Sequence, residues 1–95
     1  MQLVKLTVKF MSIARQRAGL GSVEFMSSGS KLRDVLKEIV DSYHIADIIL
    51  TEDGEVRPWA RVLVNGRAYE FLRGLNTELH DGDTLAVIYP YTENF

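Results

Sequence analysis

His80, Asp81 and Asp83 form the densest group of side chains that could ligate a metal or move a proton. They stand in one segment, His80-Asp81-Gly82-Asp83, whose glycine marks a chain reversal. Neighbours in a tight turn splay apart, and aspartate there commonly bonds its own backbone. The segment therefore reads as a solvated turn. His44 with Asp47 reads as the end of a helix, where a histidine suits the negative terminus. Arg15 and Arg17 could face a phosphate or an acidic partner, but a solvated loop is the better reading of such a pair. Trp59 beside Arg57 could stack on a ligand, although a lone tryptophan before a strand more often joins the core. Phe71 and Leu72 read as loop anchors. No Ser/His/Asp arrangement can be argued, and there is no cysteine to act as nucleophile or metal ligand. No catalytic residue, metal ligand or cofactor is assigned, and the chain is not expected to be an enzyme.

Composition limits the partners. The chain of 95 residues is 46% hydrophobic and 25% charged, which fits one folded domain over residues 1–95. Its net charge of −2 offers no basic excess, so nucleic acid is not an expected partner. No apolar run approaches the length of a membrane span, and the N-terminus carries no signal-peptide pattern. No membrane role is expected, and a cytoplasmic location is.

The elements that must position these residues follow from periodicity. Val4, Leu6, Val8 and Phe10 alternate with Lys5, Thr7 and Lys9, the pattern of a strand with one buried face. Ser12 can cap a short helical turn through Ala14 and Arg15. Val23 and Phe25 flank Glu24 in a second strand over residues 21–27, a hairpin partner of the first. The period then changes. Leu32, Val35, Leu36, Ile39, Val40 and Tyr43 follow helical spacing, which predicts the main helix over residues 30–43 with Ser30 as N-cap. Residues 46–50 are apolar and short, and could be a strand, a helical turn or a buried connection. Val62, Leu63 and Val64 run into Asn65-Gly66, the strongest short-range hairpin signal, because a type I′ turn needs positive φ at both central residues. Residues 84–89 are a last strand, stopped by Pro90, which has no N–H to give to a ladder. The expected fold is α+β, a mixed sheet with one main helix packed on one face. If the first and last strands are neighbours, they run parallel and the fold is a β-grasp.

The order and spacing of several motifs resemble the MoaD/ThiS family of ubiquitin-like sulfur-carrier proteins, with MoaD, the small subunit of molybdopterin synthase, the nearer type. They are Phe10 with Arg15 and Gly19, Ser30-x-Leu32-Arg33-Asp34-Val35-Leu36, Leu63-Val64-Asn65-Gly66-Arg67, Gly74-Leu75-Asn76-Thr77-x-Leu79, Asp81-Gly82-Asp83, and Ile88-Tyr89-Pro90. The resemblance implies work in sulfur transfer or molybdopterin biosynthesis through partner proteins. The implied partners are a MoeB-like ATP-dependent activating enzyme and a molybdopterin synthase large subunit. In that family a C-terminal Gly-Gly carries the carboxylate that is adenylated and converted to a thiocarboxylate. Aligned on Tyr89-Pro90, the two glycine positions hold Asn94 and Phe95. Glycine adopts whatever backbone angles a narrow channel imposes, and these residues do not. The expectation is therefore weak adenylation. The alternative is a β-grasp interaction or regulatory module without sulfur-carrier activity.

Strand alternation also predicts where partners bind. Burying Val62, Val64, Leu85 and Val87 turns Leu63, Ala86 and Ile88 to the opposite face. Together with Leu3 they are expected to form an apolar patch on the open side of the sheet, a surface for partner docking or self-association. The competing expectation is a second helix over residues 45–50 that covers the patch.

Overall fold

The computed structural model describes residues 3–89. Strand β1 (Val4–Ser12) pairs antiparallel with β2 (Ser22–Ser27), and a short helix, α1 (Ile13–Ala18), spans the connection. The main helix α2 (Leu32–Ser42) and one further turn, α3 (Ala46–Ile49), follow. Then come β3 (Arg61–Val64), β4 (Arg67–Ala68), two 3₁₀ turns and β5 (Thr84–Tyr89). The sheet order is β2-β1-β5-β3-β4, and β1 and β5 run parallel at its centre. This is the α+β arrangement of a β-grasp, in which the last strand lies between the first strand and the hairpin before it. The expected hairpin turn is present, with φ of 52° at Asn65 and 83° at Gly66. Both residues lie in the left-handed region that a type I′ turn demands and glycine favours.

One apolar core lies between the sheet and the helices. Leu32, Val35, Leu36, Ile39 and Val40 of α2 are buried against Leu6, Val8 and Phe10 of β1, Val62 and Val64 of β3, and Leu85 and Val87 of β5. Val4, Val23 and Phe25 face the same core but stay half-buried, two of them because β2 is an edge strand. Leu36 is 1% exposed. Replacing it with alanine is expected to cost about 2–5 kcal/mol, from lost transfer energy and the cavity left behind. Chemical denaturation would measure this; a loss well under 1 kcal/mol would mean that the site collapses freely.

The start of α2 differs from the sequence expectation. Ser30 does not cap it: Lys31 is the boundary residue, and no side chain makes a capping bond. Backbone from residues 77–79 takes over that role. The Leu32 N–H donates to the Thr77 carbonyl at 2.8 Å, and the Leu79 N–H donates to the Ser30 carbonyl at 2.7 Å. A tertiary strand-like contact has thus replaced the local cap, and Ser30 is committed through its backbone. Ser12 likewise sits at the start of α1 without a side-chain capping bond.

Candidate functional site

The face of the sheet away from α2 carries the residues expected to meet partners. Register fixes their arrangement. Lys9, Ala86 and Leu63 form one row across β1, β5 and β3, and Met11, Ile88 and Arg61 form the next. Ala86, Leu63, Ile88 and Met11 are therefore one apolar block, with Ala68 of β4 beside Leu63. Met11 is 44% exposed, and Leu63 and Ile88 are half-buried. Ala86 is buried, because its small side chain lies between the longer Lys9 and Leu63. The block occupies the end of the sheet at which β5 finishes.

Leu3 does not belong to it. It is exposed and on the same face, but it precedes β1, and Lys5, Thr7 and Lys9 separate it from the block. Alternation gives the face of a strand residue but not its position along the neighbouring strand, so the grouping with Leu3 fails on register. The helix over residues 45–50 does not cover the patch either. Its observed part, α3, packs beside α2, and Ile45, Ile49 and Leu50 join the core on the helical side. Asn94 and Phe95 lie outside the described residues. Met11 joins the block because the alternation of Lys5, Thr7 and Lys9 runs on to it, one residue past Phe10, the last apolar residue of the pattern read from sequence.

Several of the other candidates make contacts within the fold. Asp83 accepts the His80 N–H at 2.8 Å and the Asn65 side-chain amide at 3.0 Å, while the Asn65 carbonyl oxygen accepts the Thr84 N–H at 2.9 Å. Asp81 accepts the Lys5 N–H at 2.8 Å. These carboxylates tie two turns and the start of β1 together. Arg17 pairs with Asp47, its Nη2 donating to the two carboxylate oxygens at 2.9 and 3.1 Å. His44 ends α2 with φ of 59°, as a residue closing a helix in the left-handed region does. The Trp59 indole donates to the Ile48 carbonyl and meets the Tyr89 ring edge-on, with Arg57 over its face. Leu72 anchors its loop against the core, but Phe71 does not, since it is 82% exposed. Burial pushes the Tyr69 phenol above its ordinary value, and Glu70 and Glu55 add to the shift.

This architecture is shared with known proteins. A family model, that of the ThiS family, matches residues 8–92. The chain belongs to the ThiS family. Small archaeal modifier protein 3 of Haloferax volcanii is 34% identical over 88 residues, which covers 92% of this chain and 96% of the relative. The solution structure of small archaeal modifier protein 1 from Methanosarcina acetivorans superposes with a TM-score of 0.79 at 25% identity, covering 99% of this chain and all of that one. A Pyrococcus furiosus chain assigned as molybdopterin converting factor, subunit 1, gives a TM-score of 0.70 at 29% identity, covering 93% of this chain and 99% of that one. Members of the ThiS family of this kind are small ubiquitin-like carriers and modifiers. The described part of this ThiS-family chain contains no helix long and apolar enough to cross a membrane.

Proposed function

We propose that this chain works in sulfur transfer of the molybdopterin type, as a non-enzymatic cytoplasmic protein that acts by docking to other proteins. Its partners on this reading are a MoeB-like ATP-dependent activating enzyme and a molybdopterin synthase large subunit. The observation that carries the reading is the block Leu63, Ala86, Ile88 and Met11, which no other described element covers, beside the end of β5. An uncovered contiguous apolar block of this kind marks a contact surface. A protein seated there lies next to Tyr89, the last described residue, and the family carries its reactive carboxylate beyond this strand. The likeness to the Pyrococcus furiosus chain favours the molybdopterin branch.

If both partners use this face, they exclude one another. In a competition titration, the large subunit should displace labelled chain from the activating enzyme. A stable ternary complex would contradict the shared docking face. For a chain that terminates at Phe95, adenylation is expected to be slow, because Asn94 and Phe95 fill the two positions at which glycine fits a narrow channel.

A further inference from the structure

The block has a charged frame that narrows the kind of partner it accepts. Lys9 and Arg61 occupy opposite corners of the two rows, one on β1 and one on β3. Both are exposed. Among the described residues Lys9 has no ion pair, and the Arg61 guanidinium donates only to the carbonyls of Pro58 and Ala60, at 2.9 and 3.0 Å. Glu24 is the one acid on this face of the described strands; it stands one row from Lys9 and pairs with Lys5 at 3.6 Å. Seven of the other described acids lie on the helical side, in α2, α3 and the loop that holds Glu52, Asp53 and Glu55, and Glu70, Glu78, Asp81 and Asp83 lie in the connections between β4 and β5. A chain with net charge −2 thus turns a positive, apolar-centred face outward.

Resting on the docking proposed above, we infer that this face selects a protein partner with an acidic rim. Its surface has an apolar centre flanked by two carboxylates about 12 Å apart, the spacing of the two corners from strand separation and rise. Opposite potentials steer such a partner to this side of the molecule and set its register. Arg61 is already held by two carbonyls, so little of its freedom is lost on pairing. Two cations are too few to hold a nucleic-acid backbone, which needs clustered basic residues. An isologous dimer through this face would bring the cations of both copies to one interface, so a second copy is disfavoured as the occupant.

Binding of a MoeB-like activating enzyme is the probe, measured for the unaltered chain and for the Lys9→Glu, Arg61→Glu and Ile88→Asp variants. Thermal unfolding confirms that each variant is folded. Each charge reversal should weaken binding on the order of tenfold at low salt. The difference should shrink between about 0.05 M and about 0.5 M salt as screening shortens. Loss of binding in Ile88→Asp, with both charge reversals and salt without effect, overturns the acidic-rim inference and leaves the docking face standing. Unchanged binding in Ile88→Asp removes the docking face, and the inference with it. A salt-insensitive dimer of the unaltered chain, seen by sedimentation and lost in Ile88→Asp, would also overturn the inference.

Discussion

Ile88→Asp is expected to cut association with an activating enzyme by about 30-fold or more while leaving the domain folded. Ile88 sits between Met11 and Arg61 in the outer row of the block, on the strand that leads to the reactive end of the family fold. A central apolar contact at a protein interface is typically worth about 2 kcal/mol or more, which is the factor given. An aspartate there also desolvates a carboxylate against a partner surface built for a methyl group. The fold should survive, because Ile88 points away from the core formed by Leu85 and Val87 of the same strand. A new acid beside Arg61 even has a cation within reach in the free chain. Isothermal titration alongside a melting curve separates the two effects. A large drop in melting temperature would show that the side chain supports the fold, and unchanged affinity in a folded variant would remove the docking face.

The second large effect belongs to the residues after β5. For a chain ending at Phe95, replacing Asn94 and Phe95 with glycine is expected to raise ATP-dependent adenylation on the order of a hundredfold. A carboxylate must reach the α-phosphate through a channel that other family members enter with two glycines, and a misplacement of even one ångström is costly in rate. A benzyl side chain at the last position displaces the carboxylate itself, and the Asn94 side chain restricts the angles of the residue before it. Pyrophosphate release under single-turnover conditions reads the step directly. Equal rates for both chains would show that the activating enzyme accepts Phe95, and that glycine is not what limits the reaction.

Much of this fold was legible because its signals are local. The alternation in β1, the helical spacing from Leu32 to Tyr43 and the Asn65-Gly66 turn each follow from a few neighbouring residues, and each holds in the structure. What was not legible depends on residues far apart in the chain. Ser30 looked like a cap because nothing near it says that Thr77 and Leu79 will bind the helix start instead. Leu3 joined the expected patch because alternation predicts faces and not register. The short segment at Ala46 resolves into α3 only because Ile45 and Ile49 find the core beside α2. Residue type alone makes Phe71 an anchor, and its 82% exposure shows how little type decides in a loop. Alternation puts Lys9 on the outward face of β1, but its relation to Arg61 exists only once β5 lies between β1 and β3.

The most direct test of the carrier-by-docking account is the intact mass of the chain after incubation with ATP, a sulfur donor and a MoeB-like activating enzyme. Three chains are compared: the unaltered sequence, the variant with Asn94→Gly and Phe95→Gly, and that variant carrying Ile88→Asp as well. For chains ending at residue 95, little change is expected in the first, an adenylate followed by a sulfur-for-oxygen gain in the second, and its loss in the third. Full conversion of the third chain, with aspartate in the middle of the docking face, would contradict the account.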